Sequence, residues 1–135
     1  ADALILQGAT REGVQLINLL RNRAAASITY TKDYKRLYGT SMRCAPYSGE
    51  YGKEEAMKLL KWERRLEFAC EGSRFFDLVR WGDAQQVINK YYVEEKAVGS
   101  LYSNAHFTAN KNEYLPIPKQ RMTEAAGKFR QNVGW

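Results

Sequence analysis

Metal, redox and base chemistry have little to work with in this sequence. Its 135 residues include two cysteines, Cys44 and Cys70, and one histidine, His106. The cysteines are too few for a disulfide framework and too far apart for a CxxC motif. A zinc site takes three or four nitrogen or sulfur ligands, so His106 reads as a solvated loop residue, and no metal or cofactor is expected. Any Ser–His or Cys–His pair would have only that one base. Long apolar runs are also missing, since none approaches the roughly 20 residues of a membrane-crossing helix. Nor is charge of one sign concentrated. The net charge is +6, from 21 Lys and Arg against 15 Asp and Glu, yet residues 53–80, the densest charged stretch, carry 7 basic and 6 acidic groups. Nucleic-acid binders gather positive charge on one face, so no nucleic-acid partner is expected.

What is present is globular. The chain is 44% hydrophobic and 27% charged, too apolar for a disordered segment. Its length suits one compact domain, 1–135. Ala3 to Gln7 read as a helix end closed by Gly8. Thr10 can cap a following helix over 11–26, in which Val14, Ile17, Leu20 and Ala24 form one apolar stripe and Arg21 and Arg23 lie off it. Residues 27–52 change character. They are rich in Gly, Ser and Thr and hold Tyr30, Tyr34, Tyr38, Tyr47 and Tyr51. This predicts a long loop, with a short helix near Lys32 to Tyr38.

A strong helix is predicted from Lys53 to about Glu71, broken at Gly72, with Ser73 capping another from Arg74 to Trp81. Asp83 and Gln86 resemble a capping box opening a helix to about Lys96. Residues 97–118 read as loop with one or two short extended pieces. Leu115-Pro116-Ile117-Pro118 cannot be helical throughout, and Pro118 can open a short helix, 119–126. The fold class is all-α.

Two constellations could carry chemistry. Glu63, Glu67 and Glu71 are spaced four apart, on one predicted helix face, where like charges repel and need cations. As an enzyme, two of them would serve as general acid and base or as a glycosidase pair. The structural alternative is an ion-pair network of Glu63, Arg64, Glu67, Glu71, Arg74, Asp77 and Arg80 joining two helices, and arginines around the row would lower carboxyl pKa values rather than raise one. The ion-pair reading is preferred, and no catalytic residue is assigned. Trp62 and Trp81 sit at helix positions and read as core. The loop tyrosines lie among turn residues, where a ring can stand out and pack on the C–H face of a sugar. Tyr38, Tyr47 and Tyr51, each near a glycine, are the candidate ligand contacts.

The run Glu63-Arg64-Arg65-Leu66-Glu67-Phe68-Ala69-Cys70-Glu71-Gly72-Ser73-Arg74-Phe75-Phe76-Asp77-Leu78-Val79-Arg80-Trp81-Gly82 resembles the signature of the SusD/RagB family. So do Ile17-Asn18-Leu19-Leu20-Arg21-Asn22-Arg23-Ala24, Leu115-Pro116-Ile117-Pro118 and the closing Gln131-Asn132-Val133-Gly134-Trp135, in the family's order. The resemblance implies a helical, tetratricopeptide-like scaffold in a lipid-anchored, surface-exposed outer-membrane lipoprotein of Bacteroidetes-type bacteria. Such proteins capture glycans or other nutrients and pass them to a SusC-like, TonB-dependent transporter. Family members are several times longer, so the chain is expected to be a C-terminal portion without the lipidated cysteine. The tail departs from the family pattern at Val133 and Trp135. The alternative function is a helical protein–protein interaction scaffold with no glycan site in this portion.

Overall fold

The computed structural model describes residues 1–27, 44–99 and 101–135. They form two compact units, 1–69 and 70–135. The short helix expected near Lys32 to Tyr38 lies outside the described residues. Among the described residues there is no strand, as the all-α reading requires.

In the first unit α1 (Asp2–Leu6) and α2 (Thr10–Ser27) are joined by a tight turn, and α3 (Lys53–Glu67) packs on both. The apolar stripe of α2 does what its spacing dictates. Val14 and Ile17 are buried, and with Ile5, Ala56 and Leu60 they make the core. Ile5 is fully buried because α1 and α2 approach closely at Gly13. A Cβ there would stand 2.4 Å from Cγ1 of Ile5. Glycine inside a helix costs roughly 0.5–1 kcal/mol against alanine, and here it makes room for Ile5, which is 0% exposed. Gly52 precedes α3 in extended conformation, and its N–H donates to the Glu55 carboxylate at 3.2 Å, satisfying a helix-end donor. Lys53 Nζ donates to the Leu6 carbonyl at 2.7 Å and so tethers α3 to the end of α1.

The second unit contains α4 (Arg74–Trp81), α5 (Ala84–Val98) and α6 (Lys119–Glu124). Between α4 and α5 the chain turns at Gly82, whose φ of +75° is cheap only for glycine. The Gly82 and Asp83 N–H groups then donate to the Val79 and Leu78 carbonyls, at 3.0 and 2.9 Å. The core is small: Leu78, Ala84 and Phe107, with Val79, Ile88 and Tyr92 against it. The rest of the unit consists of turns and irregular backbone; within 97–118 Gly99 (φ −164°, ψ 168°) and Pro118 (φ −54°, ψ 137°) are extended, without forming a strand among the described residues.

Three local expectations fail for identifiable reasons. The long helix ends at Glu67, not Glu71. Phe68 leaves helical geometry (φ −103°, ψ 25°), and Cys70 and Gly72 both have positive φ. Phe68, Ala69 and Cys70 are consecutive, so no single helix stripe could have buried all three. Ser73 and Asp83 precede their helices but make no side-chain cap bond, because both already have near-helical ψ (−20° and −8°), whereas a capping side chain folds back from extended backbone. The short helix ends at Glu124, before the positive φ of Ala126 and Gly127.

Candidate functional site

The site is built outward from one ion pair in the first unit. Asn18 and Arg21 lie one helical turn apart on α2, so they share a face. Arg21 reaches α3 and donates to the Glu63 carboxylate. Glu63 is only 8% exposed. The segment leading into α3, residues 44–51, is drawn onto this pair. The Tyr47 hydroxyl donates to Glu63 Oε1 at 2.7 Å, the Arg21 guanidinium lies 4.3 Å from the Tyr47 ring centre, and Arg21 Nε donates to the Ala45 carbonyl. Asn18 clamps the same residue through its backbone. Its amide N–H donates to the Tyr47 carbonyl and its oxygen accepts the Tyr47 N–H, both at 2.8 Å.

Electrostatics follow from this packing. Burial, then the hydrogen bond to Glu63 and its negative charge, push the Tyr47 phenol up to about 12, so the hydroxyl remains a donor. Burial alone would lower the Arg21 pKa, but the Glu63 charge and then Tyr47 outweigh it and the net direction is up. The Glu63 charge thus favours the charged Arg21 guanidinium and the protonated Tyr47 phenol.

Tyr47 and Tyr51 meet edge to face with centroids 6.2 Å apart, and both pack against the core. Their outer sides face an open groove of about 550 Å³, walled by Thr10, Arg11, Gln15 and Asn18 of α2 and by Tyr47 to Tyr51. Gly49 lets the Tyr51 ring lie on the backbone, since a Cβ there would be 3.0 Å from the ring tip. The Tyr51 hydroxyl accepts the Gly49 N–H at 3.3 Å, which leaves its own proton to donate outward. Across the ion pair a second cavity of about 380 Å³ is lined by Leu20, Arg21, Cys44, Trp62 and Leu66, among others.

The structure brings Tyr47 and Tyr51 to one groove, while Tyr38 lies outside the described residues. Glu63 pairs with Arg21, and Glu67 pairs with Arg23 at the surface. Arg64 lies over the Phe68 ring at 4.7 Å. Glu71 stands exposed beyond the end of α3 rather than on its face. Within the second unit, Asp77, 4% exposed, accepts from Arg80 at 3.2 Å, and Arg80 also lies over the Trp81 ring. Arg74 buries one guanidinium nitrogen that has no hydrogen-bond partner among the described residues. Trp62 is not core. It is 52% exposed, with Arg65 over its ring at 5.8 Å. His106 and Cys70 are exposed and Cys44 is half-buried; both cysteines are free.

The second unit is organised by two further side-chain amides. Asn89 brackets Phe107, donating to its carbonyl at 2.9 Å and accepting its N–H at 2.7 Å. Gln131 brackets Ile117 in the same way, at 2.9 and 2.7 Å. Asn132 donates to the Leu115 carbonyl, and Trp135 Nε1 to the carbonyls of Lys111 and Tyr114. The Leu115–Pro118 segment and the closing Gln131–Trp135 motif therefore specify each other. Across all 135 residues the sequence matches the model of the SusD family.

The chain belongs to the SusD family. Membership points to glycan or nutrient binding in outer-membrane uptake, in a family of binding proteins rather than enzymes that is generally outer-membrane-associated. No curated protein matches the chain. No helix among the described residues is long and apolar enough to cross a membrane, and they place no three or more His, Cys, Asp or Glu side chains where they could hold a metal ion. In this SusD-family chain the motif residues Asn18 and Arg21 thus hold the floor of the groove that Tyr47 and Tyr51 line.

Proposed function

We propose that the chain contributes to a surface lipoprotein that captures an oligosaccharide or polysaccharide and delivers it to a SusC-like TonB-dependent transporter, without catalysis. The observation that carries this reading is the groove edged by Tyr47 and Tyr51. An aromatic wall supplies a face for sugar C–H groups, and Thr10, Gln15 and Ser48 supply polar groups around it. Tyr51 is the ligand contact and Tyr47 its rigid support, since the Tyr47 hydroxyl is committed to Glu63. The carboxylates of the signature serve the scaffold. Glu63 and Glu67 are each matched by an arginine, which suits ion pairing and not a proton-donating acid.

Calorimetric titration with a panel of oligosaccharides tests this. Tyr51→Ala should abolish measurable binding in a protein that still folds, with a lowered melting midpoint because the ring also packs against the core. Full affinity in Tyr51→Ala would remove the groove from the ligand path.

One observation favours the alternative reading, an interaction scaffold. On the first unit Leu16, Leu19, Leu20, Leu60 and Phe68 edge an apolar cavity of about 320 Å³, with Leu19 exposed. Leu19→Arg distinguishes the two readings. Loss of transporter association with glycan affinity intact would assign this face to a protein partner.

A further inference from the structure

Two charged side chains line the groove, Arg11 and Glu50, and they differ from the pair beneath it. Glu63 is buried, Arg21 half-buried, and the two are committed to each other. Arg11 and Glu50 are exposed, share the groove, and have neither an ion pair nor a hydrogen bond among the described residues. The other lining residues are neutral: Val14, Gln15, Asn18, Tyr47 and Tyr51 with Thr10, Ser48 and Gly49. The groove therefore has no net formal charge but offers a guanidinium fork and a carboxylate, both unspent.

That combination suits one kind of ligand. A sugar hydroxyl both donates and accepts, so two neighbouring hydroxyls can accept a pair of N–H bonds from a guanidinium or donate a pair to a carboxylate. A ligand carrying its own carboxylate or sulfate would satisfy Arg11 but would also meet Glu50, a like charge that disfavours wrong partners. The Tyr51 hydroxyl, with its proton left to donate, adds a third directed group beside the ring face.

Resting on the glycan reading above, we propose that this groove selects neutral, vicinal-diol-bearing sugars over acidic ones, with Arg11 and Glu50 as the specificity-determining residues. Glu50 is the discriminating member, because it alone repels an anionic ligand.

The test titrates the protein with neutral gluco-, xylo- and manno-oligosaccharides and with oligogalacturonides of the same length. A neutral oligomer should bind more tightly than the oligogalacturonide. Arg11→Ala and Glu50→Ala should each weaken the neutral ligand about tenfold, the scale of one charged hydrogen-bonding group. Glu50→Gln should narrow or reverse the preference by strengthening oligogalacturonide binding. Both residues are exposed, so the melting midpoints should stay at the parent value. Binding that depends on Tyr51 but ignores Arg11 and Glu50, or a parent protein that prefers the acidic oligomer, overturns this inference and leaves the glycan reading standing. No binding by any member of either series overturns both.

Discussion

Residues 1–69 and 70–135 solve the same problem with different means. In the first unit three helices meet on five buried apolar side chains, and the least exposed of the side-chain ion pairs that cross them is Arg21–Glu63, between α2 and α3. In the second, three side chains are the buried core, and much of the chain is turn. There neutral amides cross to loop backbone, with Asn89 bracketing Phe107 and Gln131 bracketing Ile117. Two helices can be joined by long charged side chains because their backbones already satisfy themselves. Loop backbone still needs both a donor and an acceptor, and a primary amide offers both at one spacing. Asn18 shows that the first unit uses the same device where it too must hold a loop residue.

The sharpest way to break the comparison is at Glu63. Glu63→Ala strands Arg21 in a half-dry site and removes the acceptor of the Tyr47 hydroxyl. Losing one member of a buried pair costs about 3–5 kcal/mol. Chemical denaturation should show that loss, and Tyr47 fluorescence or chemical shifts should report the released loop. A loss below about 1 kcal/mol would mean that the pair is solvated.

A smaller effect is expected at Asn89. Asn89→Ala leaves the Phe107 N–H and carbonyl without their partner, and an unsatisfied buried polar group costs about 1–3 kcal/mol. Asn89→Asp is the informative control. A carboxylate accepts the N–H but cannot donate to the carbonyl, so it should not restore stability. Full stability in the Asp variant would show that the acceptor half alone holds Phe107.

The smallest effect belongs to Arg23, whose pair with Glu67 lies at the surface with the arginine side chain 64% accessible. Arg23→Ala should cost about 0–1 kcal/mol and lose even that at high salt. Paired with the Glu63 variant, it measures how much of the ion-pair contribution comes from burial.

Much of this architecture was legible before any coordinates. The stripe of Val14 and Ile17, the helix over Arg74 to Trp81 and the turn at Gly82 all follow from local periodicity and backbone freedom, which a short window contains. The site was only half legible. Tyrosines set among turn residues pointed to the groove, but their anchors did not. Arg21 sits off the apolar stripe, where a charge reads as solvated, and its partner Glu63 is 42 residues away. Asn18, Asn89 and Gln131 carry no sign of role in their own neighbourhoods, because the residue each one brackets lies at least 14 residues distant. Trp62 misled for the opposite reason. Its helix position resembles core, yet α3 turns that side outward.

The three amide clips also set a clock. Solvent exchange of a backbone proton in a loop ordinarily follows fraying, which is nearly free. At Tyr47, Phe107 and Ile117 the proton is held by an amide that simultaneously grips the same residue's carbonyl. To expose it, both bonds must open together. In deuterated solvent these three residues should therefore persist as isolated slow points within fast-exchanging loops, each timed by its own clip rather than by the nearest helix.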